Sequence, residues 1–342
     1  MKHFNTLVTG GAGFIGSALI WTLNQNKIDS IGVVDSLSTD ERYKNLVPLR
    51  FQDYLEADDL LERIQSDDPS LDAVETIYHL GACSSTTETD SRYLIQNNYA
   101  YTKALAHWAM RHGKRFIYAS SAATYGDGAQ GMLDEESALE QLRPLNMYAY
   151  SKQLFDTYAR HQGWFTSENP IAGLKYFNIY GPNEGHKKDM RSLVNKAFYQ
   201  IQESSKVQLF KSYHPDYKHG EQKRDFFYVK DAVRMTLALG KAKGVGGIFN
   251  IGSGKAHTWL EFMQALFKAL GKTPNIEFID MPANLRLKYQ YFTKAPMDKF
   301  LTFYEKHYGK AFQFTSLDAA VQDYVAHYLV PQRHLGDEAP LA

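Results

Sequence analysis

Two groups of residues have the types and spacing to do chemistry together. One is Ser121 with Tyr148-Ala149-Tyr150-Ser151-Lys152, which offers a hydroxyl, a phenol and an ammonium; the other is Thr9-Gly10-Gly11-Ala12-Gly13-Phe14-Ile15-Gly16. Tyr148 and Lys152 are four residues apart and share a face of any helix. The spacing therefore predicts an ammonium that draws the phenol's pKa down and makes Tyr148 a general base near neutral pH. Ser121 is placed to hydrogen-bond the reacting oxygen. In the glycine run, Gly10, Gly13 and Gly16 permit a tight turn and a close backbone approach to a pyrophosphate, whose charge rests on unpaired N–H groups at a helix start. Asp35, nineteen residues after Gly16, stands where a carboxylate accepts hydrogen bonds from an adenosine ribose. The combination implies nicotinamide chemistry on an alcohol. Asp35 favours NAD, whereas Arg42 nearby is suited to a 2′-phosphate, so charge alone leaves NADP and NAD both open.

These groups need a scaffold. Apolar or β-branched runs at Thr6 to Thr9, Ser30 to Val34, Thr76 to Leu80, Arg115 to Ala119 and Ile171 to Phe177 alternate with helix-length amphipathic segments near Gly16 to Asn26, Asp58 to Ser66 and Asn98 to His112. That rhythm predicts an α/β fold, a Rossmann-type doubly wound parallel sheet with right-handed crossovers. Ser121 then ends the fifth strand, and Leu80-Gly81-Ala82-Cys83-Ser84 ends the fourth, at the carboxyl edge that meets the nicotinamide half of a dinucleotide. Past Asn178 a Gly-, Pro- and charge-rich stretch and a helical pattern from Ser192 to Gln202 begin a smaller, interleaved C-terminal substrate lobe, and Gly247 to Gly252 returns to the sheet. The expected division is 1–177 with about 226–258 for the dinucleotide, and 178–225 with about 259–342 for the substrate. The tail past Pro331 reads as loosely held.

Bulk properties narrow the partners. With 38 basic and 38 acidic residues the formal charge is zero, so no global field draws in nucleic acid or a membrane surface. One cysteine, Cys83, excludes an internal disulfide and suits a reducing compartment; a catalytic thiol there lacks an identifiable base. No apolar leader or membrane-length stretch is read, and the expected location is the cytoplasm. His214 and His219, five apart without other clear ligands, read as polar loop residues, and no metal is expected.

With these motifs in view, the chain resembles the extended short-chain dehydrogenase/reductase family, and within it the ADP-glycero-manno-heptose 6-epimerases. The resemblance rests on Val8 to Ser17, on Gly81-Ala82-Cys83-Ser84-Ser85-Thr86-Thr87-Glu88, on Tyr118 to Gly126, and on Tyr176-Phe177-Asn178-Ile179-Tyr180-Gly181-Pro182-Asn183-Glu184-Gly185-His186-Lys187. The first motif belongs to the superfamily; the second and fourth are narrower. The resemblance implies a homo-oligomer, a pentamer, acting on a nucleotide sugar with NADP, NAD being the second choice. It implies cofactor contacts at Phe14, Ile15, Asp35, Ser36, Arg42, Leu80, Gly81, Ala82, Cys83, Ser84, Asn97, Lys152, Ile179 and Lys187. Substrate contacts are implied at Asn178, Asp189, Lys196, Phe210, Arg224 and Tyr289.

It also implies a mechanism. Inverting a secondary alcohol through a ketone requires proton transfer on opposite faces, so Tyr148 needs a second acid/base partner unless the ketone turns over in the site. The resemblance assigns that part to Lys187, with Tyr148 serving the other epimer. A lysine so used must have a lowered pKa, for which burial or the neighbouring Lys188 is available, while Asp189 would raise it. A UDP-hexose 4-epimerase would share Ser121, Tyr148 and Lys152 without needing Lys187. A 4,6-dehydratase is disfavoured because Ala122 and Ala123 stand where elimination needs an acid/base pair. A non-catalytic dinucleotide sensor has little use for the intact Ser121, Tyr148 and Lys152.

Overall fold

The computed structural model describes residues 4–286 and 289–337. Seven strands build the main sheet: β1 (Thr6–Thr9), β2 (Ile31–Asp35), β3 (Asp53–Glu56), β4 (Thr76–His79), β5 (Arg115–Ser121), β6 (Ala172–Tyr176) and, after β7 (Asn178–Tyr180), β8 (Val207–Phe210), β9 (Lys223–Arg224) and β10 (Phe226–Tyr228), the strand β11 (Gly247–Ile251). The order is β11-β6-β5-β4-β1-β2-β3, and every pairing is parallel. Strands β1, β2, β6 and β11 are buried along their whole length, because helices cover both faces and the runs need no polar alternation. The strand order reverses at β1, between β2 and β4, and a crevice opens there at the carboxyl ends.

The remaining strands pair in twos: β7 with β10 in parallel, β9 with β12 (His257–Thr258) antiparallel, and β8 with β13 (Ile276–Ile279) in parallel. They stand where the polypeptide leaves the sheet after Tyr176, so the elements facing the crevice come from sequence on both sides of β11.

Three expectations need correcting. The edge strand β3, implied by the count that makes Leu80 the end of the fourth strand, has no range among the apolar runs, since Asp53 and Glu56 at its exposed ends give no apolar alternation. The helix expected from Asn98 begins at Ser91 and runs through a π-helical segment, Ile95–Ala100, before the regular turns of Tyr101–Arg111. The tail past Pro331 is not loose as far as Asp337: Leu335 is fully buried, and its N–H donates to Asn183 Oδ1 at 2.9 Å. Residues 338–342 lie outside the described residues, as do Met1 to His3. No described helix is long and apolar enough to cross a membrane.

Candidate active site

The crevice is a cleft of about 1560 Å³, well above the size of a pocket for one small ligand and sufficient for a dinucleotide and a second nucleotide together. Its floor is the glycine turn. Gly10 has φ +66°, and a Cβ there would lie 2.6 Å from the backbone of Gly81; a Cβ on Gly16 would lie 2.0 Å from the Gly10 carbonyl oxygen. Only glycine fits at either place. The helix Phe14–Gln25 starts at Gly13 with neither a side-chain cap nor an acidic residue in its first turn, which leaves its leading N–H groups for an anion. Asp35, buried at the end of β2, accepts from Ala12 N at 2.9 Å and Ser36 N at 2.8 Å. These features fit a dinucleotide: an uncapped helix start for its phosphates and a fixed carboxylate for its ribose.

The cleft is lined by Phe14, Ile15, Ser36 and Arg42, by Leu80 to Ser84 with Asn97, and by Ile179. Asn98, missed in the sequence, holds the segment after β4 in place. It accepts from Cys83 N at 2.9 Å, donates to the Cys83 carbonyl at 3.0 Å and to Ser151 Oγ at 3.0 Å, and Ser151 in turn donates to the Tyr148 carbonyl at 2.7 Å. An asparagine inside a helical stretch, where it is a poor helix former, was the available signal.

Ser121, Tyr148 and Lys152 meet in this cleft. The helix Met147–His161 is capped by Asn146, whose side chain accepts from Ala149 N at 2.9 Å, and it presents Tyr148 and Lys152 to the end of β5. The electrostatics of the pair differ from those expected. Burial pushes the Tyr148 phenol above its ordinary pKa, with the Ser121 hydroxyl pulling the other way. Lys152 is pushed down to about 8 by burial, against the field of Asp156, and donates to the Ala119 carbonyl at 2.9 Å. A shared helix face put the two side chains side by side, but strand β5 supplies the ammonium's partner.

Lys187 also lines the cleft, with Nζ 5.5 Å from the centroid of the Phe14 ring. Burial lowers its pKa and the buried Glu184 opposes the shift, so the carboxylate that raises it is Glu184 in place of the expected Asp189. Glu184 is anchored by Ser192, whose N–H and Oγ–H both donate to it, by Gly181 N at 3.2 Å and by the Tyr324 hydroxyl at 3.1 Å.

Of the substrate contacts expected, Asn178 and Arg224 line the cleft. Arg224 is buried, with one guanidinium N–H donated to the Lys223 carbonyl at 2.9 Å and its Cζ 5.4 Å from the centroid of the Tyr289 ring. Tyr289 stands behind it, outside the lining, and its buried hydroxyl has no partner among the described residues. Phe210 is half-buried outside the lining, with its carbonyl taking Gln222 Nε2 at 3.2 Å. Asp189 and Lys196 are exposed beyond the rim, joined by a 3.3 Å bond from the Lys196 ammonium to the Asp189 carbonyl. Trp259, not expected, lines the cleft beside Arg224.

Asp225 organises backbone, accepting from Ser253 N at 2.8 Å, Gly254 N at 3.0 Å and Ala295 N at 2.9 Å. The loop histidines do likewise: His219 Nδ1 accepts from Ser212 N at 3.0 Å and His214 Nδ1 from Asp216 N at 3.2 Å. Among the described residues no cluster of three or more metal-ligating side chains occurs.

Comparison with known proteins agrees with this geometry. Residues 6–252 match the model of the NAD dependent epimerase/dehydratase family. The chain is 50% identical over 323 residues to ADP-L-glycero-D-manno-heptose-6-epimerase of Nitratidesulfovibrio vulgaris (strain DP4), covering 94% of this chain and 97% of that one. The crystal structure of Helicobacter pylori ADP-L-glycero-D-manno-heptose-6-epimerase superposes with a TM-score of 0.77 at 25% identity, over 95% of this chain and 96% of that one. A UDP-glucuronic acid 4-epimerase from Bacillus cereus, solved with UDP-glucuronic acid and NAD, superposes with a TM-score of 0.70 at 26% identity, over 94% and 98% of the two chains. The glycine turn, the Ser121, Tyr148 and Lys152 cluster and the identity across almost the whole length converge on one assignment: the chain is an enzyme of the NAD dependent epimerase/dehydratase family, in its ADP-L-glycero-D-manno-heptose-6-epimerase branch.

Proposed function

We propose that this enzyme inverts C6″ of ADP-D-glycero-manno-heptose through a transient 6″-ketone, with no net redox change, as a step in making lipopolysaccharide core precursors. The observation that carries the reading is the joint presence of Tyr148, buried, and Lys187, half-buried, in the lining of one cleft with the glycine turn, brought there from different segments of the chain. A bound nicotinamide dinucleotide supplies the hydride acceptor and donor, and its oxidised ring adds a positive charge to the site.

The chain's own residues move the protons. Ser121 holds the reacting oxygen beside the Tyr148 phenol, which exchanges a proton with one epimer's hydroxyl. Lys152, fixed by the Ala119 carbonyl, is the cation of that corner and favours the phenolate when protonated. Lys187, whose burial favours the neutral amine, exchanges the proton for the other epimer. Arg224 at the far end takes the diphosphate, since its fork is buried and has donors to spare. Asn178, held by Thr293 Oγ1 at 3.0 Å, contacts the sugar. We assign NADP as the preferred dinucleotide, with Arg42 as the residue that would meet its 2′-phosphate, and place the enzyme in the cytoplasm as a homo-oligomer.

The test is incubation with ADP-D-glycero-manno-heptose in heavy water, read by NMR at the 6″ position. Epimerised product free of deuterium there supports internal hydride return. Deuterium incorporation identifies carbanion chemistry instead, and absence of turnover removes the substrate.

A further inference from the structure

We propose that Asp40 is a specificity-determining residue of the cofactor site: by occupying the guanidinium of Arg42 it restrains the enzyme's preference for NADP over NAD. The inference rests on the dinucleotide reading of the cleft and goes beyond it, because it concerns a residue that touches the selecting arginine and is not itself a ribose contact.

The geometry is that of one cation shared by two acids. Asp40 takes Arg42 Nε on both carboxylate oxygens, at 2.9 Å each, and Nη2 on Oδ2 at 2.6 Å. Arg42 Nη1 donates to Asp35 Oδ1 at 3.1 Å. Asp35 cannot swing away from this arrangement, because Ala12 N at 2.9 Å and Ser36 N at 2.8 Å pin its two oxygens. Both acids and the arginine line the cleft at the end of β2, where the adenosine ribose belongs.

A 2′-phosphate is recognised best by the two parallel N–H bonds of a guanidinium edge. Here the Nε–Nη2 edge is already spent on a carboxylate, and the local charge of Asp35, Asp40 and Arg42 is minus one. An incoming phosphate dianion must compete with Asp40 for the arginine. The 2′-hydroxyl of NAD needs only an acceptor, which Asp35 provides. Asp40 therefore penalises NADP selectively.

Asp40 also caps the short helix Glu41–Asn45, accepting from Arg42 N at 3.0 Å. Serine is a comparable cap without the charge, so Asp40→Ser separates the two roles. The full-length protein is exchanged with an equimolar mixture of NADP and NAD, freed of unbound nucleotide, and the retained dinucleotides are quantified by mass spectrometry. The retained NADP-to-NAD ratio is expected to rise at least tenfold in Asp40→Ser, to fall below wild type in Arg42→Gln, and to show no rise in the double variant. A ratio in Asp40→Ser equal to or below wild type, with dinucleotide still retained, overturns the proposal. Failure of wild type to retain either dinucleotide overturns the cofactor reading beneath it.

Discussion

Asn45 and Asn183, 138 residues apart, hold the two halves of the active site together: Asn45 Nδ2 donates to the Asn183 carbonyl at 3.2 Å and to the Ala12 carbonyl at 2.9 Å. Asn183 has φ +77°, a left-handed conformation that asparagine tolerates better than most residues, and its amide donates to Ser17 Oγ at 2.9 Å. The glycine turn and the loop carrying Lys187 are thereby one unit. His334 of the C-terminal tail closes it, with Nδ1 at 2.9 Å from Asn45 Oδ1.

Asn45→Ala is expected to leave two buried carbonyls without a donor and to cost about 1–3 kcal/mol. Urea unfolding should show a lower midpoint at an unchanged slope. Turnover should fall at least tenfold as well, because Lys187 loses its fixed relation to the glycine turn. Lower stability with full turnover would show that Lys187 keeps its place without this network.

Lys187→Met keeps an unbranched side chain against Phe14 and removes the amine. Turnover should drop by roughly 100- to 10,000-fold, the range for losing a general acid/base, with the binding of ADP unaltered. Tyr148→Phe should cost a similar factor. Undiminished epimerisation in Lys187→Met would point to a ketone that rotates before a single base, the behaviour expected of a 4-epimerase.

Lys152 gives a pH signature in the ligand-free protein. Its pKa is pushed down to about 8 by burial from an ordinary 10.5, so the folded state carries the full cost of a buried ammonium below pH 8. As pH rises from about 8 to about 10.5 the folded chain releases that proton while the unfolded chain still holds it, and stability rises. Lys152→Met has no such cost. It should exceed wild type in stability at pH 7 by up to about 3 kcal/mol, with the gap closing across this window. A gap independent of pH would remove Lys152 as its source.

The sequence was most informative where chemistry forces a local pattern. The glycine turn and the Tyr148 and Lys152 spacing are each set by a single turn of backbone, the Asp35 position by the one helix and strand that follow the glycines, and all line the cleft. What could not be read depends on contacts distant in sequence. The partner of Lys152 is a carbonyl on β5, and the countercharge of Lys187 is a glutamate that accepts from the Tyr324 hydroxyl, 140 residues away. The buried Lys175 and Asp156 pair, at 3.0 Å, is of the same kind. Asp156 accepts from Tyr118 and Ser120, and Lys175 donates to Thr124, which donates to the Ser121 carbonyl at 2.8 Å. Nothing in the local sequence distinguishes these charges from a solvated surface.

Arg224 is a buried cation with no carboxylate bonded to it among the described residues, and burial lowers its pKa. Trp259 Nε1, the Tyr289 hydroxyl and Gln222 Oε1 are buried close by without partners among the described residues, Trp259 and Tyr289 with their rings 6.0 Å apart. Such a cluster costs stability in the free protein and repays it only when an anionic, hydrogen-bonding ligand arrives. Arg224→Met should therefore melt at the same temperature as wild type or higher, yet bind ADP at least thirtyfold more weakly by calorimetric titration. Trp259→Phe, which keeps the ring packing and loses one N–H, should weaken ADP about three- to tenfold, as expected for a single hydrogen bond. A less stable Arg224→Met with unchanged ADP affinity would make the arginine a structural element and move the diphosphate elsewhere in the cleft.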